Sequence, residues 1–336
     1  IKGVFRLAPL SVGGFASAIQ RAFNLRTPDW IEFIMQRKSM RLTGVATLAV
    51  AGLFLSACSS DTESATEATT VAESSTEESV TESAATDECA YENLTTINPG
   101  MLTIGTDTPA YPPYFSDDDP TNGEGFESAV AYAVASQLGF AATDVKWEVV
   151  PFNTSYAPGN KNFDFDINQI SITPERSEVV DFSDGYYTVN QAVVAFNDSP
   201  LAGATTISEL KDAKLGAQVG TTSLDFVTEV VVPTQEPYVF NDTNDAKSAL
   251  QNGTIDGIVV DLPTAYYVTA AEFDDSKIVG QFQATASGEE FGLLFQKGNP
   301  LVTCVNNALT TLKDSGELQE IQDAWLAGAT APYFTE

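Results

Sequence analysis

Short apolar runs alternate with amphipathic stretches along the chain from residue 89 onward. Runs typical of strands occur at 102–107, 145–150, 163–167, 192–196, 214–219, 255–260 and 291–296. Patterns typical of helices occur at 127–138, 224–231, 244–251, 300–312 and 318–326. This alternation predicts an α/β fold with mainly parallel sheets, and residues 89–336 are numerous enough for two lobes.

Polar residues follow three of the predicted strands. They are Asp107, the turn Gly220-Thr221-Thr222, and Asp261. In open α/β sheets ligands bind beyond the carboxyl ends of the strands, so these positions are candidates for a binding site.

The first 57 residues have the features of an export signal. Arg37, Lys38 and Arg41 precede a stretch without charge at 42–57, which is shorter than the roughly 20 apolar residues of a membrane span. The stretch ends in Leu-Ser-Ala-Cys58, which resembles the bacterial lipobox. We therefore expect a lipoprotein signal at 40–57 and a diacylglycerol on Cys58. A signal peptide without lipidation is the alternative.

Two further expectations concern the segments on either side of this signal. Residues 1–39 are interpreted as an upstream, non-native extension, with the start at Met35 or Met40. Residues 58–88 are expected to be a disordered tether, since 59–88 contain only Ser, Thr, Glu, Asp, Ala and Val and cannot bury enough apolar surface to fold.

Composition excludes several kinds of chemistry. The chain has 16 Lys and Arg, 46 Asp and Glu, a formal net charge of −30 and no His. So acidic a chain is unsuited to nucleic acid, and without His there is no Ser-His-Asp triad and no His-based metal site. Three Cys cannot form a four-cysteine site, and neither a metal nor a cofactor is expected.

The three cysteines suggest one disulfide. With Cys58 assigned to lipid, Cys89 and Cys304 remain. Outside the cytoplasm two such residues are more often paired than free, so we predict a Cys89–Cys304 disulfide. Two separate buried thiols are the alternative.

The most informative motif is QISITPERSEVVDFSDGYY at 169–187. It resembles the extracytoplasmic solute-binding proteins of ABC importers, in the family that binds polar amino acids. The segments GTDTPAYPPY at 105–114, Gly-Phe-Glu at 125–127, Gly-Thr-Thr at 220–222 and the strand-ending Asp261 match the same family in the same order, over about residues 98–330.

Three parts of the motif set have a chemical meaning of their own. Arg176 can pair bidentately with a carboxylate, or it can form a surface salt bridge with Glu175 or Glu178. The Gly220–Thr222 turn can present free helix amides to an anion, or be a simple helix cap. Asp261 ends an apolar strand and needs a partner such as an ammonium, or it caps the next helix.

The resemblance implies a two-lobed type II periplasmic-binding-protein fold with the ligand between the lobes. Lobe 1 would comprise 89–191 and 287–336, and lobe 2 would comprise 192–286, with crossings near 190–194 and 284–290. The resemblance places Arg176 and Thr222 on the ligand carboxylate and Asp261 with Ser171 on its ammonium. It assigns the ligand side chain to a pocket of Asp107, Tyr111 and Phe152.

The chain also departs from the family pattern. Ser128 and Ala129 stand where an apolar residue and a second acid are usual, and Asn168 and Gln169 replace small residues. Where many members have a short helix after the pocket Phe, the Pro-Gly break in 153–160 predicts a loop.

The expected function is capture of a free amino acid, polar or basic, by a protein lipid-anchored on the extracytoplasmic face. Closure of the lobes on the ligand would let it dock on an ABC permease, with ATP used by a separate subunit. Two alternatives stay open. One is a cyclic dehydratase, which needs a general acid such as Glu124 or Glu289, and the other is a ligand sensor.

Overall fold

A computed structural model describes residues 87–283, 288–326, 328 and 330–336. The predicted export signal, the lipidated Cys58 and the tether up to residue 86 lie outside the described residues. Within the described ranges, none of the helices has the length and apolarity needed to cross a bilayer.

Two five-stranded sheets and one two-stranded ribbon form the framework. The strands are β1 (Leu102–Thr106), β2 (Val145–Val149), β3 (Phe165–Asp166), β4 (Val180–Phe182), β5 (Tyr187–Val189), β6 (Gln191–Phe196), β7 (Leu215–Gln218), β8 (Tyr238–Phe240), β9 (Gly257–Asp261), β10 (Ser276–Gln281), β11 (Glu289–Phe291) and β12 (Leu294–Gln296).

Helices cover both sheets. They are α1 (Phe126–Gln137), α2 (Phe152–Ser155), α3 (Pro174–Ser177), α4 (Thr222–Asp225), α5 (Thr243–Gln251), α6 (Leu262–Tyr267), α7 (Leu301–Ser315) and α8 (Glu317–Leu326). Wider π-helical turns at Phe226–Val231 and Val268–Glu272 continue α4 and α6.

Each sheet is mixed, but four of its five strands run in the same direction, so the prediction of mainly parallel sheets is confirmed except for one antiparallel strand in each. The first sheet, in lobe 1, has the order β2-β1-β3-β12-β4, and β12 runs antiparallel to both of its neighbours. The second sheet, in lobe 2, has the order β10-β6-β9-β7-β8, and β6 runs antiparallel to both of its neighbours. The reason is that β6 and β12 each follow a crossing from the other lobe, whereas parallel neighbours need a crossover connection within one sheet.

The ribbon of β5 and β11 connects the lobes. Val189 pairs with Glu289, and Tyr187 pairs with Phe291, in an antiparallel register. The chain passes from β5 directly into β6 of lobe 2, and returns through β11 into β12 of lobe 1. The lobe boundaries at 191/192 and 286/287 stay a prediction, apart from the C-terminal segment described below.

The predicted disulfide is confirmed. Cys89 and Cys304 are bonded with an S–S distance of 2.06 Å. The bond attaches the start of the described chain to α7, whose buried face packs in the lobe 1 core with α1 and β1.

The C-terminal segment corrects the predicted lobe assignment. It was expected in lobe 1, but Phe334 is buried in the lobe 2 core against Phe282, with ring centroids 5.2 Å apart. The Phe334 amide donates to the Gln281 carbonyl at 2.9 Å, and the Thr335 amide donates to the Thr205 carbonyl at 3.0 Å. The last residues therefore return to lobe 2 after α8 and give the chain a third connection between the lobes.

Candidate ligand-binding cleft

The residues that were predicted to bind ligand lie together where the two lobes face each other. A cleft in this position is lined by seven of them, namely Asp107, Tyr111, Phe152, Arg176, Thr221, Thr222 and Asp261. The other two, Ser171 and Gly220, contact it through their carbonyls, which accept hydrogen bonds from Arg176. The structure thus brings the whole predicted set into one place, and its role in binding stays a prediction.

Arg176 is held rigidly at the centre of this cleft. It lies in α3, whose first turn is capped by Thr173, and its side chain is only 8% exposed. Nη1 donates to the Ser171 carbonyl at 2.7 Å, and Nη2 donates to the Gly220 carbonyl of lobe 2 at 2.9 Å. The guanidinium carbon lies 4.9 Å from the ring centroid of Tyr156 and 5.6 Å from that of Phe152, so the charge is also held by cation–π contacts.

The alternative of a surface salt bridge for Arg176 is wrong. Among the described residues, no carboxylate forms an ion pair with it within 4.0 Å. Burial lowers the pKa of Arg176, yet a guanidinium stays protonated in proteins. Arg176 is also the only arginine after residue 41. A buried cation without a counter-ion is costly, so the site favours an anionic group.

Thr221 and Thr222 differ in their roles, since one caps the helix and the other faces the cleft. Thr221 caps α4, because its hydroxyl oxygen accepts from the Leu224 amide at 3.2 Å. Thr222 instead points its hydroxyl into the cleft. Gly220 has a φ of +72°, and a Cβ there would collide with the Tyr156 hydroxyl, so both the turn and the contact require glycine.

Asp261 ends β9 and faces Arg176 across the cleft. It occupies the N-cap position of α6 but its side chain makes no capping bond, so the capping alternative is not supported. Its Oδ1 accepts from Gln191 Nε2 at 2.6 Å. Burial, followed by the charge of Glu289, raises the pKa of Asp261. An ammonium in the cleft would relieve both effects.

Asp107 and Phe152 form one wall of the side-chain pocket. The Phe152 amide donates to Asp107 Oδ2 at 3.0 Å, which fixes the carboxylate at the end of β1. Phe152 begins α2, so the loop predicted after it is wrong at its start. The Pro158-Gly159 break comes after this single helical turn and ends it, and the turn places Tyr156 against Arg176.

Tyr111 also lines this pocket. It is half-buried, and the ammonium of Lys247 lies 5.4 Å from its ring centroid. Burial, with Asp242 nearby, raises the pKa of the Tyr111 hydroxyl, so it stays neutral. Asp242 also lines the cleft, which adds a second carboxylate to Asp107 at this end.

Glu289 and Gln191 are the site residues that sequence reasoning missed or misread. Glu289 was named only as a conceivable general acid, and Gln191 was not named. Glu289 accepts hydrogen bonds from Ser171, Thr222 and Gln191, and of these three Thr222 lines the cleft. Gln191 could have been recognised by its polarity, because it is a polar residue directly before the apolar run 192–195 of a buried strand. Glu124, the other acid considered, is exposed.

A second group of buried carboxyls lies beneath the cleft. Glu127 in α1 accepts from the Gln169 amide at 2.7 Å and from the Tyr186 hydroxyl, and burial raises its pKa to about 7. Asp166 in β3 is fully buried, and neither of its oxygens has a hydrogen-bond partner among the described residues. Burial and the charge of Glu127 raise the pKa of Asp166 well above its usual value.

Comparison with known proteins identifies the family to which the chain belongs. Residues 102–328 match the family described as "Bacterial extracellular solute-binding proteins, family 3". The arginine-binding extracellular protein ArtP of Bacillus subtilis is 26% identical over 234 residues, which is 68% of this chain and 86% of that protein.

Solved structures agree in fold. An ancestral arginine-binding protein bound to glutamine superposes with a TM-score of 0.58 at 31% identity, over 68% of this chain and 99% of that one. An ancestral amino acid-binding protein described as a precursor of cyclohexadienyl dehydratase has a TM-score of 0.56 at 30% identity, over 68% of this chain and 95% of that one. The chain therefore belongs to family 3 of the bacterial extracellular solute-binding proteins, and it has their two-lobed fold.

Proposed function

We propose that the protein captures a free amino acid with a cationic side chain and delivers it to an ABC importer. The observation that carries the proposal is the buried guanidinium of Arg176, which forms no ion pair among the described residues and lines the same cleft as the carboxylate of Asp261. A zwitterion supplies both missing partners at once.

The carboxylate end of the ligand would meet Arg176. Two of the five guanidinium donors are used on the Ser171 and Gly220 carbonyls, which leaves the others for a carboxylate. Because the guanidinium is already oriented, little side-chain entropy is lost on binding. The hydroxyl of Thr222 in lobe 2 would donate to the same carboxylate.

The ammonium end would meet Asp261. The raised pKa of Asp261 means that the carboxylate is destabilised in the empty cleft. An ammonium beside it stabilises the ionised form, so ligand binding and loss of a proton are coupled.

The side chain of the ligand would lie between Tyr111 and Phe152 and end near Asp107 and Asp242. Two carboxylates at this end favour a cation and repel a ligand carboxylate. Both rings already lie against a cation of the protein, Tyr111 against Lys247 and Phe152 against Arg176, and the face left free on each ring suits a guanidinium or an ammonium. The name of the arginine-binding protein ArtP supports this choice of side chain, whereas the ancestral arginine-binding protein is described as bound to glutamine.

Delivery would follow closure of the lobes. The ligand contacts lobe 1 through Arg176 and lobe 2 through Asp261, so it binds the closed form better than an open one and shifts the population toward it. We further propose that a lipid on Cys58 anchors the protein outside the cell, that residues 58–88 serve as the tether, and that the closed form docks on the permease.

A dehydratase acting on a small carboxylic acid is the second candidate. It is favoured by the contact of Glu289 with Thr222, which lines the cleft, and by the resemblance to a precursor of cyclohexadienyl dehydratase. Against it, Glu289 is the acceptor in every hydrogen bond it makes with Ser171, Thr222 and Gln191, which is unsuited to a general acid. Formation of product from a prephenate-like acid would favour this candidate.

The test is thermal unfolding of the purified protein with each common L-amino acid, ornithine and citrulline. A ligand at 100 times its dissociation constant adds about 2.7 kcal/mol to the free energy of unfolding. We expect a clear shift with a cationic amino acid, lost in Arg176→Ala and Asp261→Asn. Asp274→Asn makes the same chemical change at an exposed site and should keep the shift. Absence of a shift with every amino acid would refute the proposal.

A further inference from the structure

Glu289 lies on the ribbon between the lobes and contacts Thr222, which lines the cleft. It is the first residue of β11, and it pairs with Val189 of β5. Its neighbour Glu290 is exposed, because successive side chains of a strand point to opposite faces. The strand therefore directs the carboxylate of Glu289 toward Ser171 and Thr222, and Thr222 lines the cleft.

Three donors converge on this carboxylate. Ser171 Oγ and Thr222 Oγ1 each donate to Glu289 Oε1 at 2.6 Å, and Gln191 Nε2 lies 3.2 Å from the same oxygen. Ser171 belongs to lobe 1 and Thr222 to lobe 2. The hydrogen bonds thus surround one oxygen from both sides of the cleft, as the N–H groups of a bound ammonium would.

Gln191 joins Glu289 to Asp261. The same Nε2 that approaches Glu289 donates to Asp261 Oδ1 at 2.6 Å. Two carboxylates therefore share one neutral amide donor, and among the described residues no Lys or Arg forms an ion pair with either of them. Their mutual repulsion is relieved by a cation placed between them, or by a proton on one of the two.

We propose that Glu289 is a second ammonium-binding carboxylate, so that the ligand α-ammonium docks between Asp261 and Glu289. This inference rests on the proposed function. An ammonium has three N–H donors, enough for both carboxylates. Its arrival also frees the Thr222 hydroxyl, which is needed by the ligand carboxylate at Arg176. Glu289 consequently makes the site selective for a free α-ammonium.

A different role would be a latch that holds the lobes together without touching the ligand. Loss of a latch lowers the affinity for every ligand by the same factor. Loss of an ammonium-binding group lowers the affinity only for ligands that have the ammonium. The ratio between two matched ligands therefore separates the two roles.

The experiment is isothermal titration of the purified protein and of Glu289→Gln with L-arginine and with 5-guanidinopentanoic acid, which is arginine without its α-ammonium. If another amino acid gives the largest shift in the unfolding screen, that amino acid and its desamino acid are used. We expect Glu289→Gln to weaken binding of the amino acid by 10- to 100-fold, on the order of a lost charged hydrogen bond. Binding of the desamino acid should change by less than about threefold.

Glu290→Gln is the matched control, because it makes the same change on the outward face of the same strand, and it should leave both affinities unaltered. An equal loss for both ligands in Glu289→Gln, or no loss for the amino acid, overturns this inference and leaves the proposed function standing. Failure of the unaltered protein to bind any amino acid overturns both. Unfolding of ligand-free Glu289→Gln at an unchanged temperature establishes that the variant is folded.

Discussion

Replacing Glu127 by Gln should remove a large part of the pH dependence of stability. Glu127 is fully buried beneath the cleft, and burial raises its pKa from 4.5 to about 7. A carboxyl with a raised pKa in the folded state holds its proton more tightly there than in the unfolded chain. Its contribution to stability is therefore fully present below pH 4.5, and it is lost as the pH rises toward 7.

The magnitude follows from the two pKa values. A shift of about 2.5 units corresponds to about 3 kcal/mol over the full window, and about 2 kcal/mol of this falls between pH 5 and pH 7.5. Gln at position 127 keeps the size and the acceptor oxygen but does not titrate. The difference in unfolding free energy between Glu127→Gln and the unaltered protein should therefore move in favour of the variant by about 2 kcal/mol from pH 5 to pH 7.5.

The assay is urea unfolding at the two pH values, without ligand. The difference between variant and parent cancels the titration of groups that do not sense Glu127. The charge of Glu127 raises the pKa of Asp166 and of Asp261, so their titration adds a change of the same sign. Glu290→Gln is an exposed control and should show no such change. A difference that stays constant between pH 5 and pH 7.5 would refute the assigned cause, namely that burial destabilises the carboxylate of Glu127.

Three further outcomes are expected. Because the pKa of Asp261 is raised, amino acid binding at pH 6 should release protons and weaken as the pH falls. Titration calorimetry in two buffers of different ionisation enthalpy detects the proton release. An equal heat of binding in both buffers contradicts it. Replacing Cys89 and Cys304 together by Ser opens a link that spans 215 residues and should cost about 5 kcal/mol of unfolding free energy in the chain-entropy description, measured by denaturant unfolding against the oxidised parent. Phe334→Ala should cost about 3–5 kcal/mol in the same assay, because the ring is buried in the lobe 2 core; a cost under about 1 kcal/mol would show that the C-terminal segment does not pack there.

Residues that can be recognised from their immediate neighbours in the sequence were predictable. Asp261 follows an apolar strand, and Arg176 stands within a specific motif, so both were placed correctly in the cleft. The Cys89–Cys304 bond followed from the count of cysteines and the expected compartment. Each of these inferences needed only a few neighbouring residues or a simple census.

Features that depend on distant parts of the chain were not predictable in the same way. Gln191 and Glu289 are in contact only because the two segments that cross between the lobes, far apart in sequence, lie side by side. The antiparallel entry of β6 and β12 depends on the same crossings. The return of Phe334 to lobe 2 likewise leaves no periodic signal, since a single buried aromatic residue in a short segment is compatible with either core.

The central claim is that one zwitterion bridges Arg176 and the acidic side of the cleft, and titration with L-arginine and agmatine tests it most directly. Agmatine keeps the cationic side chain of arginine and lacks the carboxylate that Arg176 would bind. We expect the unaltered protein to bind arginine at least 100-fold more tightly than agmatine. We expect Arg176→Lys, which keeps the charge but loses the bidentate fork, to lower the affinity for arginine while leaving agmatine unchanged. Equal binding of the two ligands, or an arginine affinity that Arg176→Lys does not alter, would contradict the account.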